Sequence, residues 1–161
     1  MHAGMMPTDP AVTRAVIDTN AVLDWLVFAQ PAALALGDAI TSRRCSWCAT
    51  TPMLVELRAV LNRPLPERWE SARKLALTID LGPLFTLRES TDLPLATQRL
   101  ICRDPTDQMF IDLALGCAPS WLVTRDRALL ALRRRAAAKG VVIATPEQLQ
   151  LHPAAAVIAA G

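Results

Sequence analysis

Residues 14–23 read RAVIDTNAVL, an apolar run that stops abruptly at Asp18, Thr19 and Asn20. A short apolar run that ends in polar turn residues is typical of a buried strand feeding a turn. From residue 21 to residue 29 the apolar side chains recur at helical spacing, and Pro31 favours the start of a second helix that runs to about Ile40. The sequence therefore opens with a strand, a turn and helices, and this unit decides the fold.

The same alternation continues along the chain. Asp126 is the predicted cap of a helix over 127–139, Gly140 ends that helix, and Thr145 and Gln148 predict a capping box on a short last helix. Residues 89–100 show no clear pattern. Strands that alternate with helices favour a mostly parallel sheet covered on both faces. The further predicted strands are 45–49, 84–87, 121–124 and 141–143, and the other predicted helices begin near 51, 67 and 105.

Composition limits the class of protein. The chain has 161 residues, of which 52% are apolar and 20% charged, which predicts one folded domain and excludes a disordered chain. The net charge of +2 does not by itself indicate a nucleic-acid partner. No signal peptide or membrane span is evident, so we expect a cytoplasmic protein whose four cysteines are thiols. No Gly-rich phosphate loop is present, so we expect no nucleotide cofactor.

Carboxylates follow the predicted strands. Asp18 follows the first strand directly, and Asp126 comes shortly after the strand at 121–124. Glu56 lies in the helix after the second strand, and Asp104 and Asp107 lie in the opening turn of a later helix. In an open parallel sheet, ligands bind beyond the carboxyl ends of the strands. We therefore expect these acids near one edge of the sheet.

Two interpretations of these acids compete. Each aspartate taken alone is explained as a helix cap or turn former, because Asp is favoured in both places. Taken together, carboxylates gathered at one edge would repel each other, and a hard divalent cation such as Mg²⁺ or Mn²⁺ relieves that repulsion. Such an ion can activate water and stabilise a phosphoryl oxyanion. The grouping therefore favours a metal site.

At these residues the sequence resembles the PIN-domain family. The resemblance extends from residue 14 to about residue 150, with the motifs in the family's order and spacing. We accordingly expect a single PIN-like domain over 14–150, between a flexible N-terminal segment (1–13) and a C-terminal tail (151–161). The matching stretches are VIDTNAVL (16–23), TPMLVEL (51–57), DPTDQMFIDLAL (104–115), WLVTRDRALL (121–130) and VIATPEQL (142–149).

The resemblance implies a three-layer α/β/α sandwich with a central, mostly parallel sheet of four to five strands. It also implies a ribonuclease that depends on Mg²⁺ or Mn²⁺, leaves 5′-phosphate and 3′-hydroxyl ends, and is commonly the toxin of a type II toxin–antitoxin pair. Asn20 and Thr124 match positions that support the acids by hydrogen bonding, and Asp104 also fits the pattern but is first of all a cap. The catalytic and metal-binding set carried over by motif is Asp18, Glu56, Asp107 and Asp126.

One residue departs from the family pattern. Family members usually place small residues along the stretch from Phe110 to Ala114, and Asp112 interrupts it here. We expect Asp112 to face solvent or to pair with an arginine.

RNA, a cognate antitoxin and a second copy of the chain are the partners that the resemblance implies. Between residues 125 and 139 the chain carries six cations and only one acid. The cations from Arg133 to Lys139 are best explained as a solvated helix face. Arg125 and Arg127 flank Asp126 and are candidates for RNA contact, and Arg43 and Arg44 are equally possible.

Three alternatives stay open at this point. The first is a non-catalytic RNA-binding or regulatory domain, which gains nothing from clustered negative charge. The second is an RNA-processing nuclease without an antitoxin. The third is a phosphotransfer receiver, but the only lysines are Lys74 and Lys139, and neither lies after a late strand as that chemistry requires.

Overall fold

A computed structural model describes residues 13–89, 99–152 and 155. Its centre is a parallel sheet of five strands in the order β3-β2-β1-β4-β5. The expected sheet, parallel and flanked by helices in three layers, is therefore confirmed. The strands are β1 (Thr13–Ile17), β2 (Cys45–Ala49), β3 (Phe85–Leu87), β4 (Ser120–Val123) and β5 (Val141–Ala144).

Eight α-helices connect and cover these strands within the described residues. Short 3-10 turns at Gly82–Leu84 and Pro105–Asp107 precede β3 and α5 respectively. The helices are α1 (Thr19–Leu26), α2 (Pro31–Thr41), α3 (Thr51–Leu61), α4 (Glu67–Thr78), α5 (Gln108–Gly116), α6 (Arg127–Leu130), α7 (Arg133–Ala137) and α8 (Pro146–Leu151).

The core forms where the central strands meet α5. Val16 of β1 lies beside Leu122 of β4, and both side chains are fully buried. Helix α5 packs against both strands and buries Phe110, Ile111 and Leu113. Strands buried on both faces are apolar throughout, as a parallel sheet covered by helices requires.

Asp112 is buried in the same helix, with 6% of its surface exposed. Its carboxylate accepts hydrogen bonds from Nε and Nη2 of Arg99 at 3.0 and 2.9 Å and from Nε2 of Gln108 at 2.9 Å. Arginine pairing, one of the two expected outcomes, is therefore what the structure shows. The bidentate partner explains why a charge is tolerated at this depth.

The prediction of a single helix over 127–139 is wrong. The structure has two short helices, α6 and α7, joined at Ala131 and Leu132. The amide of Leu132 donates to the carbonyl of Leu129 at 3.0 Å, which is the tighter spacing of a 3-10 turn. This turn buries both leucines (Leu129 and Leu132), so core packing prevails over a regular helix. The predicted capping box on α8 is present, with Thr145 and Gln148 bonded reciprocally.

The predicted flexible segment (1–13) and tail (151–161) lie for the most part outside the described residues. So does most of the stretch 89–100 that showed no pattern. Over the described ranges, no single helix has both the length and the apolar character needed to cross a membrane, whereas α1 and α2 together satisfy these criteria as a pair bent by 90°.

Candidate active site at the carboxyl edge of the sheet

The site is positioned by the two central strands. β1 and β4 are parallel neighbours, with Ile17 beside Val123, so their carboxyl ends meet at the same edge. The amide of Asp18 extends this pairing by donating to the carbonyl of Val123 at 3.0 Å. Asp18 and Thr124, the first residues beyond the two strands, are thereby brought together although 106 positions separate them.

Asp18 is both a helix cap and a buried acid. Only 4% of its surface is exposed. Its Oδ1 accepts from the amide of Ala21 at 2.9 Å and so caps α1, while its Oδ2 accepts from the hydroxyl of Thr124. Burial raises the pKa of Asp18 above its ordinary value, and these two hydrogen bonds offset part of that rise. The capping interpretation and the site interpretation are therefore both satisfied by one residue.

Thr124 links two of the acids. Its side chain is fully buried. The hydroxyl oxygen accepts a hydrogen bond from the amide of Asp126 at 2.9 Å, and the hydroxyl group donates a hydrogen bond to Asp18. Asp126 in turn caps α6, accepting from the amides of Ala128 and Leu129 at 2.8 and 3.3 Å. One hydroxyl thus fixes the Asp18 carboxylate relative to the loop that carries Asp126.

Asp107 is the most perturbed acid of the group. Burial, followed by the negative charges of Asp126 and Asp104, raises its pKa to about 7. Its Oδ2 is buried and has no hydrogen-bond partner among the described residues. Asp107 closes a 3-10 turn, and α5 begins only at Gln108, so the predicted position inside the first turn of α5 is corrected. A buried oxygen without a partner is uncommon, and a cation is one partner that would satisfy a carboxylate oxygen.

Asp104 behaves as a cap, as its sequence position indicated. Its Oδ1 accepts from the amide and the hydroxyl of Thr106 at 3.0 and 2.8 Å. These bonds lower the pKa of Asp104 below its ordinary value. It is exposed, and it contributes negative charge near Asp107 rather than a buried ligand.

Glu56 reaches the site through a residue that the sequence reasoning missed. The half-buried Glu56 on α3 accepts a hydrogen bond from the hydroxyl of Thr19, the residue directly after Asp18. Asn20, which the motif suggested as a support, is exposed and lines a cavity beside Asp126. The usable signal for Thr19 was its position, because the first residues beyond a central strand all lie at this edge.

The arginines expected to contact RNA have different surroundings. Arg125 donates to Asp24 at 2.6 Å and to both oxygens of Glu147 at 2.8 and 2.7 Å, so its guanidinium serves an internal ion-pair network. These bonds raise its pKa above the ordinary value. Arg127 is exposed and lines the cavity beside Asp126.

Arg43 and Arg44 do not belong to this site. They lie in the turn before β2, at the amino end of a strand whose carboxyl end faces the acids. Five residues of strand separate the two edges by roughly 16 Å. Contact of these two arginines with RNA stays a prediction, at a position away from the acids.

The acids as they stand do not form a closed coordination shell: within the described residues no three His, Cys, Asp or Glu groups are arranged to hold a metal. Their chemistry nevertheless fits a divalent cation. All four donors are carboxylates, and one buried oxygen of Asp107 has no hydrogen-bond partner among the described residues. Burial, together with the acidic neighbours, raises the pKa of Asp107. Mg²⁺ usually retains several waters and needs only one or two direct carboxylates, so wide spacing suits it.

The structure thus combines a parallel sheet with acids at the ends of its central strands. The family model for the PIN domain, a nuclease-type fold, matches residues 14–128, and the chain belongs to this family. Neither a curated protein nor a solved structure gives a significant match.

Proposed function

We propose that the protein is a metal-dependent endoribonuclease that hydrolyses RNA phosphodiester bonds in the cytoplasm. The observation that carries the proposal is the grouping of Asp18, Asp107 and Asp126, in which the pKa of Asp107 rises to about 7. A bound cation would compensate both the burial of these carboxylates and their mutual repulsion, whereas a domain that only binds RNA gains nothing from such a grouping.

Asp18, Asp107 and Asp126, joined by Glu56, would hold Mg²⁺ or Mn²⁺. When bound, the ion lowers the pKa of a water molecule and stabilises negative charge on the phosphoryl oxygens. Thr124 fixes the position of Asp18 relative to the loop that carries Asp126, and Thr19 orients Glu56. Asp107 must lose its proton before it can serve as a ligand, and cation binding favours that loss.

The test is cleavage of single-stranded RNA by the purified protein in Mg²⁺ or Mn²⁺. We expect 5′-phosphate products, no cleavage in EDTA, and no cleavage by Asp18→Asn or Asp126→Asn. Asp38→Asn is a matched control, because Asp38 is exposed on α2, away from this edge. Cleavage that persists in EDTA or in Asp18→Asn would contradict the proposal.

We further propose that the ribonuclease is the toxin of a type II pair and is inhibited by a cognate antitoxin. The support is the family membership, because the resemblance described under the sequence analysis implies the toxin of such a pair. Induced expression should arrest growth, and co-expression of a small protein encoded immediately upstream should relieve the arrest. Homodimerisation stays a prediction, to be measured by light scattering. Cleavage without growth arrest would favour the RNA-processing nuclease.

A further inference from the structure

A cavity of about 600 Å³ opens beside the acids, on the side where the chain enters α6. The cavity is widely open to solvent. Both acids and cations line it, so it is not simply an extension of the acidic group. The polar residues that line it are Asn20, Arg103, Asp104, Arg125, Asp126 and Arg127.

The three arginines of this cavity are not equivalent. Arg125 is neutralised by Asp24 and Glu147. Arg103 and Arg127 are exposed, and neither forms an ion pair or a side-chain hydrogen bond with any part of the chain that the structure describes. Arg103 comes from the segment before the 3-10 turn of Asp107, and Arg127 opens α6 after Asp126. Each therefore brings an available positive charge to the wall of the cavity from a different segment.

We propose that Arg103 and Arg127 form a phosphate grip, which binds a backbone phosphate of single-stranded RNA next to the phosphate that is cut. This inference rests on the proposed ribonuclease function and identifies how its substrate is held. The acids beside the cavity repel the RNA backbone, and cations at the same cavity offset that repulsion where the strand must approach. Arginine is suited to the task because its planar guanidinium binds phosphate oxygens in pairs.

A phosphate grip has a specific kinetic signature. It holds the substrate equally in the ground state and the transition state, so its loss raises KM and leaves kcat nearly unchanged. We expect Arg103→Gln and Arg127→Gln each to raise KM roughly threefold to tenfold, the effect of losing one ordinary hydrogen bond at an exposed position. Because the two arginines share one phosphate, the slope of log(kcat/KM) against log salt should become shallower by about 0.7 in the variant that lacks both, the value for one phosphate of a single strand.

The experiment measures steady-state cleavage of a labelled RNA oligonucleotide in Mg²⁺ at several salt concentrations. Arg134→Gln is the matched control, because it removes the same charge from an exposed position on α7 that does not line the cavity. Circular dichroism melting establishes that each variant is folded. A KM unchanged in both variants, or equally changed in the control, overturns the grip while leaving the ribonuclease function intact.

The failure of the two proposals is distinguishable. If the wild-type protein does not cleave RNA, fluorescence anisotropy of the same oligonucleotide in Mg²⁺ decides between them. Binding that Arg103→Gln and Arg127→Gln weaken would retain the grip and refute only the catalysis. An absence of both cleavage and binding by the wild type would overturn both.

Discussion

Thr124 offers the sharpest test of how the site is held together. Replacing it with Val keeps nearly the same shape and removes only the hydroxyl, so little cavity is created. The hydroxyl makes two hydrogen bonds, a buried one to Asp18 and a partly buried one from the amide of Asp126 at 2.9 Å. Since Asp18 is 4% exposed, water does not readily replace the lost donor.

The magnitude follows from these two contacts. A buried group left unsatisfied costs about 1–3 kcal/mol, with the upper part of that range for a charged acceptor such as Asp18. Asp126 is only half-buried, so its amide is partly rehydrated and adds little. We therefore expect Thr124→Val to lower the free energy of unfolding by about 2 kcal/mol, which corresponds to about 4–8 °C in Tm for a domain of this size.

Thermal and urea unfolding of the metal-free protein measure the effect, with Thr124→Ser as the control that keeps the hydroxyl. The loss should be larger at high pH than in acid, because an ionised carboxylate needs the donor more than a neutral carboxyl does. The rate of RNA cleavage by Thr124→Val should fall as well, because Asp18 and the loop that carries Asp126 lose their shared hydrogen-bond partner. A Thr124→Val protein as stable and active as Thr124→Ser would refute this account of the site.

Three further changes probe other parts of the molecule. Asp107→Asn should stabilise the metal-free protein more at pH 8 than at pH 4. The folded pKa of about 7, against an ordinary value of 3.8, makes the wild type lose stability as pH rises through that interval. Melting in EDTA at both pH values measures the difference, and equal effects at the two pH values would contradict this explanation. Arg125→Ala should cost about 1 kcal/mol at low salt and less at high salt, because the arginine is 37% exposed; a salt-independent loss in urea unfolding would argue against the ion pairs. Arg99→Ala should lower the free energy of unfolding by about 1–3 kcal/mol, because Asp112 keeps only Gln108 as a partner. Adding Asp112→Asn should restore most of that stability. A double variant no more stable than Arg99→Ala would disprove the charge explanation.

The sheet and the placement of the acids were accessible to sequence reasoning because both depend on local signals. Apolar runs ending in polar turns identified the strands, and the rule that ligands lie beyond the carboxyl ends of parallel strands located Asp18 and Asp126. The same rule places Arg43 and Arg44 at the opposite edge of the sheet, since both precede β2.

Other features depend on contacts between distant parts of the chain. The bond from Thr19 to Glu56 joins residues 37 positions apart, and that from Arg125 to Asp24 joins residues 101 apart. No periodicity or spacing encodes which side chain meets which across such separations. The division of the 127–139 helix likewise reflects packing of Leu129 and Leu132, which overrides helix propensity.

The ion-pair network around Arg125 indicates how far a truncated form of this domain must extend. The arginine joins Asp24, near the beginning of the described chain, to Glu147, near its end, across the loop that carries Asp126. The family match stops at residue 128, yet β5 supplies the neighbour of β4 and α8 supplies Glu147. A fragment ending at residue 128 would expose the edge of β4 and remove a partner of Arg125, so we expect the folded unit to extend through α8.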